Sequence, residues 1–199
     1  DDMDQLIWIQ DNRARALTAL QRWSEAEAEL RSAADKKENG HRNVSNVINL
    51  SWLYAQAGRS DEALATLVDL GQDMSPYGLM QMHGVRYAAA VHRGDAQIAD
   101  ESFAYLEKHR DDALQTWQWT LVRANRLDEA AALLIERLRD PVLRSDALEE
   151  LQDYTNPPAQ SERAAWDARW TQVKNRADVR REVDAVGRIE SFRIPEGLQ

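Results

Sequence analysis

The segment Asn49-Leu50-Ser51-Trp52-Leu53-Tyr54-Ala55-Gln56-Ala57-Gly58-Arg59-Ser60-Asp61-Glu62-Ala63 decides the fold. It reads as the end of one helix, a tight turn at Gly58, and a second helix opening at Ser60 or Asp61. Gly58 suits a helix C-terminus because it accepts positive φ without a Cβ penalty. Ser60 is expected to cap the second helix. Asp61 and Glu62 fall in its first turn, where the helix dipole favours negative charge. Ala63 is small enough for two helices to cross closely.

The same punctuation recurs along the chain. Leu20-Gln21-Arg22-Trp23-Ser24-Glu25-Ala26 precedes it. His92-Arg93-Gly94-Asp95-Ala96-Gln97-Ile98-Ala99 and Ala124-Asn125-Arg126-Leu127-Asp128-Glu129-Ala130 follow. The aligned alanines are Ala26, Ala63, Ala99 and Ala130, at spacings of 37, 36 and 31. Four residues after each stands a large apolar residue: Leu30, Leu67, Phe103 and Leu134. One helical turn separates each pair, so both members face the same neighbour. Asn125 replaces the turn glycine in the fourth copy and tolerates the left-handed conformation.

These residues resemble the tetratricopeptide repeat, a helix–turn–helix of about 34 residues. The best match, 44–77, carries Leu50, Ser51, Tyr54, Gly58 and Ala63 where that family prefers Leu, a small residue, Tyr, Gly and Ala, and Pro76 falls near its usual proline. The first copy has Trp23 in the turn, and the third has Tyr87 where a small residue is usual. The resemblance covers about residues 5 to 144. It implies an all-α fold, a right-handed superhelix or solenoid of antiparallel helix pairs forming one domain over 1–199. Repeats are placed at about 7–40, 44–77, 80–113 and 111–144.

The C-terminal quarter departs from the pattern. Leu143 to Tyr154 reads as a helix stopped by Thr155-Asn156-Pro157-Pro158. A second helix begins near Ser161, with Trp166, Trp170, Val173 and Ala177 in a 4-3-4 row. This is expected to be a degenerate fifth pair, 143–174, followed by a capping helix at 175–188, since arrays need an atypical terminal unit. An extended tail, 189–199, could dock on its own array, pair with another protomer or stay disordered.

Composition agrees with a helical chain. Alanine, leucine, arginine, glutamate and lysine make 90 of 199 residues, while there are two Phe, eight Gly and five Pro. The formal charge of −9 argues against nucleic acid as a main partner. No apolar run approaches the roughly 18 residues of a membrane span, so no membrane insertion is expected. The absence of cysteine removes disulfides, thiol catalysis and Cys-based metal sites. No cysteine, and an opening Asp1-Asp2-Met3-Asp4 without an initiator Met, lean towards an exported, periplasmic protein over a cytoplasmic one. Bacterial envelope proteins with such repeats assist secretion, assembly or polysaccharide export, an analogy at the level of fold.

No catalytic constellation stands out: there is no His-Glu-x-x-His, no Gly-x-Ser-x-Gly and no phosphate-cradling glycine loop. No enzyme activity, cofactor or metal is therefore expected. His83 and His92 share a helix, but nine residues turn it about half a revolution beyond whole turns, so they face apart. The acidic runs Glu25/Glu27/Glu29, Asp111-Asp112 and Glu149-Glu150 read as helix starts or solvated faces rather than a glycosidase pair.

A binding groove is the functional expectation. In the repeat family certain first-helix positions line a concave surface. By register these are Trp8, Asp11, Asn12 and Arg15 in the first repeat, then Ser45, Ile48, Asn49, Trp52 and Gln56 in the second. The third offers Gln81, Ala88 and His92, and the fourth Gln115, Trp119 and Arg123. The sharpest set is Trp8, Arg15, Asn49, Trp52, Gln56, His92, Gln115, Trp119 and Arg123. Tryptophan is an efficient anchor once buried in an interface, and asparagine can hold a peptide amide. Trp52 and Trp119 could equally fill inter-repeat gaps or meet the C-terminal segment. Trp117 belongs in the core. Some family members grip a terminal carboxylate with a basic clamp. Asn49 matches one clamp position, but Asp11, Arg15, Gln81 and Val85 stand where Lys, Asn, Lys and Arg belong, so that clamp is not expected. The chain is thus read as a scaffold or adaptor binding a peptide or partner protein. The alternative is a self-associating scaffold, including a homodimer, whose groove holds its own tail or a second protomer.

Overall fold

The computed structural model describes residues 2–20, 22–38, 41–71, 73–155 and 164–193, without the side chains of 2–8, 19, 37, 38, 41, 42, 154, 155 and 164. Its helices are α1 (Asp2–Ala19), α2 (Trp23–Ala34), α3 (Val44–Gln56), α4 (Ser60–Leu67), α5 (Pro76–Arg93) and α6 (Ala96–Lys108). After a 3-10 turn at Arg110–Asp112 come α7 (Leu114–Arg123), α8 (Leu127–Arg139), α9 (Arg144–Leu151), α10 (Ala164–Lys174) and α11 (Ala177–Val186). The extended segments among the described residues form two short ladders. β1 (Lys37–Glu38) pairs antiparallel with β2 (His41–Arg42), and β3 (Asp153–Thr155) pairs parallel with β4 (Ser191–Arg193). The class is all-α, as the sequence implies.

The recurring turn is the strongest local result. The backbone N–H of Arg22, Arg59, Asp95 and Arg126 donates to the carbonyl five residues back (Leu17, Tyr54, Ala90, Leu121) at 2.9, 2.8, 2.9 and 2.9 Å. Each aligned alanine then donates to the residue opening its turn, at 3.0, 3.0, 3.1 and 3.0 Å. Gly58, Gly94 and Asn125 all have positive φ, at 74°, 75° and 59°. The counterpart in the first copy, Gln21, lies outside the described residues. The bond spanning five residues closes a helix end through a left-handed residue, which explains why glycine or asparagine is selected there.

What caps the second helix differs from expectation. Ser60 is the first residue of α4, and Arg59 precedes it without a side-chain cap bond. The Ser60 hydroxyl instead meets His92 Nδ1 at 3.1 Å. Three of the four turns share a substitute: an arginine at the helix entrance grips the glutamate three residues on. Arg22 holds Glu25, Arg59 holds Glu62, and Arg126 holds Glu129. The remaining turn, that of the third copy, uses a true cap, Asp95 accepting from the Ile98 N–H at 3.2 Å. Ser75 and Asn43 cap α5 and α3 likewise, and Pro76 sits at the first position of α5.

The chain divides into two compact units, 1–117 and 118–199, split within α7. In the first, consecutive helices from α1 to α6 pack on one another, and α3 also meets α1 and α5. Its core holds Ala26, Val47, Leu53, Ala63, Leu67, Val85 and Ala89, all nearly sealed from solvent. Trp117 is buried, as expected, and Trp23 packs on this core. In the second unit α8 is the centre, packed by α9, α10 and α11 through Ala130, Leu134, Leu138, Val179 and Val183.

The helix read at Leu143 to Tyr154 is shorter than the sequence suggested. α9 stops at Leu151 because residues 153–155 turn extended and pair with 191–193. Ala177 does not complete the row of Trp166, Trp170 and Val173. It opens α11, after a turn at Asn175-Arg176 where Arg176 binds Asp178 and Asp128. The described part of the tail therefore runs alongside β3, while 194–199 lies outside the described residues.

Candidate functional site

In the first unit, the first helices of successive pairs touch through the residues that sequence register singles out. Arg15 donates to Asp11 at 3.0 Å, and Asn49 donates its amide to the same carboxylate at 2.6 Å. This joins α1 to α3. Trp52, half-buried, lies against Gly84, where an added Cβ would stand 3.5 Å from its ring carbon Cζ2. The same Cβ would meet Thr116 Cγ2 at 3.0 Å. Gln81 donates to the Thr116 hydroxyl at 2.6 Å. Gly84 thus lets α3, α5 and the start of α7 approach closely, with Trp52 roofing the gap.

Other candidates are placed differently. Gln56 and Ser45 are exposed, whereas Ile48 and Ala88 are buried and serve packing rather than an open groove. Gln115 is half-buried at the start of α7. His92 is exposed, with its Nδ1 against the Ser60 hydroxyl on α4. His83, at the far face of α5, stacks on Tyr105. The two histidines therefore face apart, as their spacing requires. Trp8 belongs to α1, and its side chain lies outside the described residues.

In the second unit, Trp119 and Arg123 are half-buried on α7. α10 covers their backbone: Trp166 Nε1 donates to the Trp119 carbonyl at 3.4 Å, and Arg169 donates to the Arg123 carbonyl at 2.6 Å. Trp166 stacks on Trp170 with centroids 5.9 Å apart. The C-terminal segment thus meets the α7 backbone at Trp119 and Arg123.

Two acidic residues read as solvated have specific partners. Glu27 accepts from the Tyr54 hydroxyl at 3.0 Å, from Arg31 at 2.8 Å and from Arg59 at 2.5 Å. Its carboxyl is held down at about 2, chiefly by the Arg59 hydrogen bond. Burial, with Glu27 beside it, pushes the Tyr54 hydroxyl up to about 12. Arg59 also covers the Tyr54 ring at 4.5 Å. Glu150 holds Arg137, which is only 3% exposed, at 2.5 Å. The tyrosine of the repeat pattern hinted at the first cluster; nothing local in the sequence marks the second.

Among the described residues no group of three or more His, Asp or Glu could hold a metal, and no helix is long and apolar enough to cross a membrane. Compared with known proteins, the chain matches no family model, no curated protein and no solved structure.

Proposed function

We propose that the chain is a tetratricopeptide-like repeat module that binds a peptide or partner-protein segment along the row of its first helices, acting as scaffold or adaptor. The carrying observation is Trp52: a large ring left half-buried over Gly84, in the row begun by the Asp11–Asn49 bond. An indole on a prearranged helix layer can bury its remaining surface against a partner at little ordering cost. Arg15 and Gln56 are exposed and Gln115 is half-buried, so they supply a polar rim around it. Trp119 and Arg123 make the corresponding surface of the second unit, beside α10.

Selection of displayed random peptides on immobilised protein tests this reading. Enriched peptides should bind the parent at least ~30-fold more tightly than Trp52→Ala, the loss typical of an anchor residue. Peptides that bind both equally, or failure to enrich any, would sink it.

A further inference from the structure

The interface between α5 and α6 holds polar groups where the other inner repeats are apolar. Aligned on the turn alanines, His83 and Arg86 occupy the positions of Val47 and Leu50 in the second repeat and of Leu114 and Trp117 in the fourth. Val47, Leu50 and Trp117 are buried core residues. His83 and Arg86 are only half-buried, but His83 Nδ1 and Arg86 Nε are sealed from solvent and neither has a hydrogen-bond partner. Such orphaned nitrogens are costly, and an apolar pair would suit this packing position better. Most other arginines here grip a carboxylate; Arg86 grips none among the described residues.

The surroundings are ordered. His83 stacks on Tyr105 with centroids 3.9 Å apart and planes 13° apart, and Tyr105 stacks on His109 at 4.4 Å and 20°. His109 in turn stands 3.5 Å from Asp112 in the 3-10 turn. Three rings thus stack in a row that begins one helical turn from Arg86.

We propose that Arg86 and His83 form a binding site for a carboxylate, supplied by a free small carboxylic acid or by the C-terminus of a peptide. A planar carboxylate matches the guanidinium fork and can also accept from a protonated imidazole. The first unit has 19 acidic and 12 basic side chains, a background that favours a singly charged anion over a phosphate dianion. The site lies on the face that α5 turns to α6, not on the row containing Trp52, and it stands whether or not that row binds a partner.

The charge state gives a readout. His83 is held down at about 4, first by burial and then by the positive charges of Arg86 and His109. A bound carboxylate opposes both influences, so ligand should draw a proton onto His83. The other titrating groups along this stack are Tyr105 on α6 and Asp112 in the turn.

The experiment is a titration of 15N-labelled protein with N-acetylglycine, followed at the imidazole resonances. His83 should shift saturably and its midpoint should move upward from about 4. Arg86→Lys should bind about tenfold more weakly, and Arg86→Gln should not saturate. A second variant, His83→Val with Arg86→Leu, installs the residues of the second repeat; it should melt higher than the parent while losing the titration. No saturable shift in the folded parent, or identical shifts in Arg86→Gln, overturns the site. Lower melting of the double variant would make the pair structural and overturn it too. A peptide with a free C-terminus, compared with its amide, distinguishes the sources. Tighter binding of the free acid form than of N-acetylglycine assigns a chain terminus, and equal binding assigns a small acid.

Discussion

The Tyr54 hydroxyl donates to the Glu27 carboxylate at 3.0 Å, tying the last turn of α3 to the middle of α2. Arg59, at the entrance to α4, bonds the same carboxylate and lies over the Tyr54 ring. One acidic group therefore fastens three helices. Its carboxyl falls from 4.5 to about 2, so the charged form is the one that the fold favours. The corresponding stability is complete above the unfolded carboxyl's range and is lost as pH falls from about 5 towards 2. About 3 kcal/mol is at stake, since the fall from 4.5 to about 2 spans roughly two and a half tenfold steps of ~1.4 kcal/mol each. Glu27→Gln should lose that much at pH 7 and should match the parent near pH 2. Urea midpoints measured across pH will check it, and parallel curves for the two proteins would refute the assignment.

Gly84 leads to a coupling prediction. Alanine there gains about 1 kcal/mol in helix propensity but sets its Cβ 3.0 Å from Thr116 Cγ2. Thr116→Ser deletes that methyl while keeping the hydroxyl that accepts from Gln81. Gly84→Ala should therefore be neutral or destabilising alone, yet stabilising by about 1 kcal/mol in the Thr116→Ser background. A double-mutant cycle by chemical denaturation measures it; additive effects would show that the close approach has no energetic consequence.

Arg137 and Glu150 are a partly sealed ion pair in the second unit, 3% and 11% exposed. Removing Glu150 leaves the buried Arg137 guanidinium without its carboxylate, so Glu150→Leu should cost about 3–5 kcal/mol. Replacing both, as Arg137→Met with Glu150→Leu, should restore most of that loss. Thermal melts of the three proteins decide the matter, and a single variant within 1 kcal/mol of the parent (roughly, on the same principle) would mean that water already screens the pair.

How much of this was legible in the sequence follows from how local each feature is. The turns were readable because Gly58, Gly94 and Asn125 answer a backbone requirement met within a few residues. The aligned alanines were readable because helix crossings recur at the repeat spacing; Ala26, Ala63 and Ala130 are completely buried. Glu27 and Glu150 were misread as solvated because their partners lie 27 or more and 13 residues away respectively, apart from Arg31. Ser60 was misread as a cap because its competing partner, His92, is 32 residues distant. Asn49 and Trp52 were singled out by register, but their contacts with Asp11 and Gly84 depend on neighbouring helix pairs. The Arg86 site was missed because a histidine and an arginine at helical spacing look like surface residues until the register shows a core position.

The turn residues themselves supply the last test. A Cβ at Gly94 would meet nothing within 4 Å, so Gly94→Ala isolates the backbone cost of a left-handed residue. That cost is about 1 kcal/mol. Asn125 holds the equivalent conformation at φ 59°, which asparagine tolerates and glycine adopts freely. Asn125→Gly should therefore be neutral to stabilising by up to about 1 kcal/mol, and Asn125→Ala should be destabilising. If the three turns share one backbone geometry, Gly58→Ala and Gly94→Ala should also fall within about 1 kcal/mol of each other despite their different neighbours. Denaturant midpoints for the four variants provide the comparison. A stabilising Gly94→Ala would contradict the left-handed turn on which the repeat assignment depends.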